Sequence, residues 1–216
     1  MDMTMASVAA AACQAAAAAT VYACLVNAAA DADGSAAAAS ATGGSSSTSS
    51  SAATPSGVRE ALPSDRAAIM KYTIDMADET EEDCTLDPVK VEKGVGFVLS
   101  GQGLSSKYWV ATDDEDKVIG MVGVSPEWSD WWGVEYWWVI SVYVEPSSRR
   151  RGVAARMMRG VLAAAEAQGV QTVNLRVEKD NESAQALYRS VGFAVDPSHL
   201  VMACGRTPAG QPVGSS

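Results

Sequence analysis

Between Tyr136 and Val177 a strand, a basic turn, a helix and a second strand follow one another, and this run constrains the fold more than any other part of the chain. Tyr136–Val144 is a stretch of aromatic and β-branched residues that Glu145-Pro146 stops. After Gly152, apolar residues recur at helical spacing: Val153, Met157, Met158, Val161, Leu162 and Ala165 share one face, while Arg156, Arg159 and Glu166 point elsewhere. Gly169 supplies a helix stop. Val173, Leu175 and Val177 then alternate with Thr172, Asn174 and Arg176, which is strand periodicity. Two strands joined through a helix lie parallel in one sheet, so this segment predicts a βαβ crossover.

The flanking segments predict an otherwise antiparallel sheet. Val58–Leu62 reads as a short strand, and Pro63-Ser64-Asp65 as a helix start with Ser64 at the N-cap, ahead of an apolar stripe of Ile69, Met70, Ile74 and Ala77. A second helix is expected over Asp87–Leu99, with Val91, Val95 and Val98 on one side. Tyr108–Ala111 and Val118–Val124 read as a hairpin around the acidic turn Thr112–Lys117. Five of the six tryptophans crowd between Trp128 and Trp138. Asn181 opens a short helix, Glu182–Ser190, ended by Gly192, and His199–Cys204 reads as a last strand. The expected class is α/β: a mixed, mostly antiparallel sheet flanked by helices, with a central βαβ crossover.

Composition divides the chain. Residues 1–57 contain 22 Ala, 10 Ser and no Lys or Arg, which reads as a low-complexity, disordered tail with a transient helix at most across Ala15–Ala19. A folded domain is expected over 58–207 and a C-terminal tail over 208–216. The uncharged run Met3–Ala30 is mostly Ala, which gains little on entering lipid, and it lacks the basic residues of a signal or transit peptide. A cytoplasmic protein without a membrane partner is therefore expected. The net charge of −10 disfavours nucleic acid, whose phosphates require clustered cations. One His and four Cys without a C-x-x-C pair leave little for a metal site, and no G-x-S-x-G elbow presents a serine nucleophile.

The turn between the long strand and the helix reads Ser147-Ser148-Arg149-Arg150-Arg151-Gly152-Val153-Ala154-Ala155. Amides at a helix start have no helical acceptor and lie at the positive end of the dipole, so they suit an anion. Gly152 and Ala154 keep bulk away from the backbone, and three arginines add charge a diphosphate would use. A solvated basic turn explains the same residues. Neither a G-x-x-x-x-G-K loop nor a G-x-G-x-x-G fingerprint is present.

Arg149-x-x-Gly152-x-Ala154 resembles the acetyl-CoA diphosphate loop of the GNAT superfamily of N-acetyltransferases, patterned Gln/Arg-x-x-Gly-x-Gly/Ala. Ser141-Val142-Tyr143-Val144 followed by Pro146 resembles that family's fourth strand, and Asn181-x-x-Ala184-x-x-Leu187-Tyr188-x-x-x-Gly192-Phe193 its later helix signature. The likeness covers about residues 58–204 and is strongest over 136–204. It implies acetyl-CoA as cosubstrate, lying where the strand 138–144 splays from 172–177. Backbone groups of Val142 and Val144 would pair with the pantetheine arm, and amides across Arg150, Arg151, Gly152, Val153, Ala154 and Ala155 would hold the diphosphate. The Val142 N–H would face the thioester oxygen. Tyr188 matches the tyrosine beside the departing sulfur, a general acid, although a core aromatic on an amphipathic helix fits the same place. Asn181 matches a position near the cofactor, although a plain N-cap fits as well.

The general base departs from the family's pattern. Trp138 falls near the position where some relatives place a strand-four glutamate. Glu135, Asp130 and Glu127 are the nearest carboxylates, and Glu135 is the candidate, with an exposed loop acid as its alternative. An ordered water or an amine arriving neutral would make a dedicated base unnecessary. Residues 58–135 hold 17 acids and 7 bases against 6 and 9 in 136–216, a pattern suited to a cationic acceptor and an anionic donor, or simply to a soluble surface. The expectation is acetyl transfer to the primary amine of a small molecule by direct attack in a ternary complex. Acetylation of a protein amine, and a CoA-binding module without catalysis, stand as alternatives. A homodimer stays open.

Overall fold

A computed structural model describes residues 57–79, 86–102, 106–199, 202 and 204. The expected tails at 1–57 and 208–216 lie outside these residues apart from Gly57. Strands β1 (Val58–Glu60), β2 (Lys107–Thr112), β3 (Val118–Ser129), β4 (Val134–Val144) and β5 (Thr172–Leu175) form one sheet in chain order. The first three neighbouring pairs are antiparallel and β4–β5 is parallel. Helices α1 (Arg66–Asp78) and α2 (Pro88–Leu99) lie between β1 and β2, α3 (Val153–Ala167) bridges β4 and β5, and α4 (Glu182–Ser190) follows β5. The mixed sheet with its βαβ crossover is as the sequence predicts.

Several boundaries differ for identifiable reasons. Ser64 does not cap a helix: Pro63–Asp65 forms a single 3-10 turn capped at Leu62. Asp65 fixes that turn by accepting the Leu62 N–H at 2.7 Å and both arms of the Arg59 guanidinium at 2.6 and 3.1 Å. Burial opposes ionisation of Asp65, yet the Arg59 bond, the Leu62 amide and the Arg59 charge together hold its carboxyl below the usual range. The helix expected over Asp87–Leu99 runs from Pro88 to Leu99, with Asp87 as its cap accepting from the Val89 amide at 2.9 Å. Strand β3 runs five residues past Val124 and pairs with β4 as far as Ser129–Val134. Lys107 of β2 is opposite Val124, so among the described residues no β2 partner faces Pro126 and its missing N–H. Gly133, at φ +63°, closes the hairpin, leaving Trp131 and Trp132 exposed at its tip. The strand expected at His199–Cys204 is not seen at His199, Met202 or Cys204, and its other residues lie outside those described. Met202 itself is exposed.

The sheet separates two cores. Trp109, Trp137, Val142, Met157, Met158 and Val161 pack on the α3 side, where the Trp109 and Trp137 rings meet at 5.3 Å. Ile69, Tyr72, Val95, Met121 and Tyr143 pack under α1 and α2. Each large apolar side chain buried this way contributes about 1.5–3 kcal/mol. Close approach rather than turn geometry demands Gly120: a Cβ there would stand 2.9 Å from the Tyr143 carbonyl oxygen and 3.0 Å from Met157 Cε. Gly120→Ala is expected to lower stability by about 1–3 kcal/mol. Gly94→Ala in α2, where a Cβ meets nothing within 4 Å, is expected to raise it by about 0.5–1 kcal/mol. Thermal unfolding of the two variants checks both signs.

One irregularity positions the site. Gly123 pairs with Ser141 but Val124 with Val139, so Ile140 is an extra residue in β4. A bulge bends its strand and shifts its alternation. Before it the odd residues Trp137 and Val139 face α3; after it the even residues Val142 and Val144 do. The last β4–β5 pair is Val139–Leu175, so β4 leaves β5 at the bulge.

Candidate active site

Among the described residues no strand pairs with the outer edge of β4 from Ile140 to Val144. The Glu145 amide donates to Ile119 on β3 at 2.9 Å. By the alternation of an antiparallel ladder, Val144 and Val142 therefore turn their N–H and C=O groups to the open edge. These are the two residues expected to present backbone to a ligand. One part of the expectation is corrected: the Val144 carbonyl already accepts from Arg149 Nε at 2.9 Å, leaving its N–H on the open edge.

Beyond β4 the chain makes one 3-10 turn, Pro146–Ser148, and enters α3 through two left-handed residues, Arg150 at φ +61° and Gly152 at φ +71°. The first helical bond outside the cap runs from the Arg156 amide to the Gly152 carbonyl at 3.0 Å. The amides of Val153, Ala154 and Ala155 therefore precede any helical acceptor, and no side chain caps this helix. A Cβ on Gly152 would meet nothing within 4 Å, so open space lies in front of the turn. Arg151 is exposed beside it. A concave backbone with unsatisfied donors, positive charge and room fits the diphosphate of a CoA thioester.

Arg149 does not belong to that positive face. Its guanidinium donates to both oxygens of Glu79 at 2.8 Å and lies 5.2 Å over the Tyr143 ring, while Tyr143 Oη donates to Glu79 at 2.9 Å. Burial, and then the bond to Glu79 and its charge, push the Tyr143 phenol well above its usual range, with Arg149 opposing. Arg149 thus ties the start of the loop to the end of α1 and to β4. The sequence grouped three arginines by adjacency, but this one has a partner 70 residues away. Arg149→Met is expected to cost about 1–3 kcal/mol in urea unfolding, because Glu79 and the Val144 carbonyl lose a charged donor. A loss below about 0.5 kcal/mol would reduce this clamp to an ordinary surface pair.

Tyr188, 2% exposed, lies in the same buried cluster as Val142, Val144, Val153, Ala154 and Ala155, and its ring meets Phe193 edge-on at 5.8 Å. The structure therefore brings together the expected tyrosine, the open strand edge and the first turn of α3. Asn181 caps α4 through Oδ1, which accepts from the Ala184 amide at 2.9 Å. That contact satisfies the plain capping reading.

Glu135, the candidate base, lies on the α3 side of β4. Strand alternation puts it with Trp137 on the α3 side, and its Oε1 accepts from Trp137 Nε1 at 2.7 Å. The opposite face carries a cleft of about 240 Å³ lined by Ser125, Pro126, Glu127, Trp138 and Arg176. Glu127 accepts from Trp138 Nε1, and the Arg176 guanidinium lies 4.8 Å over the Trp138 ring. Trp138 pairs with Asn174 one step before the strands part, so the cleft borders the splay on the α1–α2 side of the sheet. Of the three carboxylates considered from sequence, Glu127 rather than Glu135 lines this space. Period-two alternation held the signal: once Trp137 is taken as the core residue, Glu135 must share its face.

A sequence model described as the Acetyltransferase (GNAT) family matches residues 72–193, more than half of the chain. N-acetyltransferase 8 of Homo sapiens is 38% identical over 95 residues, which are 44% of this chain and 40% of that protein. GCN5-related N-acetyltransferase 6, chloroplastic, of Arabidopsis thaliana is 37% identical over 60 residues, 28% of this chain and 21% of its own. The chain thus matches less than half the length of either relative. A solved structure, a possible acetyltransferase from Clostridium difficile 630, superposes with a TM-score of 0.61 at 31% identity, covering 68% of this chain and 95% of that one.

Proposed function

Because the chain belongs to the acetyltransferase (GNAT) family, we propose that it transfers an acetyl group from acetyl-CoA to the primary amine of a small molecule, by direct attack within a ternary complex. The observation that carries this reading is the parting of β4 from β5 after Val139–Leu175, with Tyr188 on one side of the sheet and the Glu127–Trp138 cleft on the other. Acetyl-CoA supplies an acetyl group activated as a thioester. The amides of Val153, Ala154 and Ala155, with Arg150 and Arg151, hold the diphosphate, and the open edge at Val142 and Val144 receives the pantetheine arm as an added strand. The Val142 N–H supports the acetyl oxygen as negative charge develops on it.

The acceptor enters through the cleft. Its nitrogen lone pair forms the bond to the acetyl carbon while the carbon–sulfur bond breaks. Glu127 draws the ammonium in and takes one proton before attack. A second proton leaves nitrogen as the amide forms, and the Tyr188 hydroxyl gives one to sulfur, so the products are the N-acetyl amine and free CoA with one proton released overall. A small amine is the acceptor proposed for the cleft lined by Glu127, Trp138 and Arg176.

The test is incubation of the full chain with acetyl-CoA and a panel of primary amines, following free thiol with a chromogenic reagent and the acetylated amine by mass. Amine-dependent thiol release is the expected result. Tight acetyl-CoA binding by calorimetry with no amine acetylated would instead make the chain a binding module.

A further inference from the structure

Resting on that reading, we propose that the acceptor is an amine that also carries a carboxylate, with Arg176 taking the carboxylate and Glu127 the amine across a common Trp138 surface. Among the described residues that line the cleft Arg176 is the one cation and Glu127 the one acid. The register sets them on either side of one residue. Ser125 opposes Trp138, and Trp138 opposes Asn174, so all three share a face. Glu127, two residues on along β3, lies toward Tyr136, and Arg176, two residues on in the β5 direction, lies beyond Val139–Leu175, so the two side chains reach Trp138 from opposite ends. The indole holds both: Nε1 donates to Glu127 at the ring edge, and the guanidinium stacks on the ring face.

That arrangement presents opposite charges at two places in one small space, the pattern a zwitterion matches end for end. A simple alkylamine would engage Glu127 alone and gain nothing from the cation at the other end of the cleft. The acidic balance of residues 58–135 otherwise repels an anionic acceptor, which makes a dedicated cation at the entrance necessary for such a substrate. A guanidinium suits the task better than an ammonium because its planar fork matches both carboxylate oxygens.

The experiment compares L-leucine, L-methionine, L-phenylalanine and L-lysine with their α-carboxamides as acceptors, each kcat/KM corrected for its fraction of neutral amine. The acids are expected to be preferred by about 10- to 100-fold. Arg176→Gln should remove that preference chiefly through KM, the acids losing about 10-fold or more beyond any loss for the carboxamides, and Arg176→Lys should retain part of it. Circular dichroism of each variant establishes that the fold is kept. Equal use of acid and amide by the unaltered protein, or an equal loss for both in Arg176→Gln, overturns the proposal. If no amine is acetylated, calorimetric titration of the same acids and amides into the CoA-saturated protein reads the preference directly. Tighter binding of the acids there sustains the role of Arg176 while the transfer reading fails; equal affinities overturn the role as well.

Discussion

In Tyr188→Phe, thiol release from acetyl-CoA in the presence of an acceptor amine is expected to fall by about 10²-fold or more in kcat, with the affinity for CoA itself unchanged. The substitution removes one oxygen and keeps the ring. Because that ring is 2% exposed and packs against Phe193 within the α3-side core, its volume preserves the cluster, and thermal stability should move little. What disappears is the proton for the departing sulfur. A thiolate is a better leaving group than an alkoxide, which places the loss toward the low end of the range for general acids. If Tyr188 is a packing residue alone, kcat survives within about twofold and only stability responds, so the ratio of the two effects separates the readings. A parallel fall in CoA affinity would point to a misplaced helix α4 rather than a lost proton donor.

The donor half of this arrangement is legible in the sequence because its signals are local. Glu145-Pro146 ends β4, Gly152 supplies a left-handed residue before α3, and the apolar face of α3 repeats at helical spacing, all within about thirty residues. The acceptor half depends on long-range register. Nothing in Val139-Ile140-Ser141 announces a bulge; it follows from pairing with β3, and it decides where β4 leaves β5. The cleft likewise exists only because Ser125, Trp138 and Asn174 align across three strands that are distant in sequence. Arg149 shows the same limit from the other side. Its neighbours in sequence made it one of three equal charges, whereas Glu79 at the end of α1 decides where its guanidinium goes. Glu135 was open to correction from sequence, since the face of a strand residue is fixed once one neighbour is assigned to the core.

Gly152→Glu is expected to weaken CoA binding by at least about 100-fold, measured by calorimetry, while the chain stays folded. The side chain would begin in a space where a Cβ meets nothing within 4 Å, so the cost to the fold is the left-handed backbone at φ +71°, about 1–2 kcal/mol. The cost to binding is larger because a carboxylate would stand in front of the Val153, Ala154 and Ala155 amides, filling the cradle and repelling the diphosphate with like charge. Gly152→Asn separates these causes: Asn tolerates the left-handed region and brings no charge, so its fold is closer to the parent and its CoA affinity intermediate. S-acetylpantetheine gives the second control, since it lacks the diphosphate. Its turnover in Gly152→Glu should stay near that of the parent chain, whereas turnover of acetyl-CoA should collapse. Equal losses with both donors would mean that the substitution had disturbed α3 as a whole, and unchanged CoA affinity would remove the first turn of α3 from the binding site.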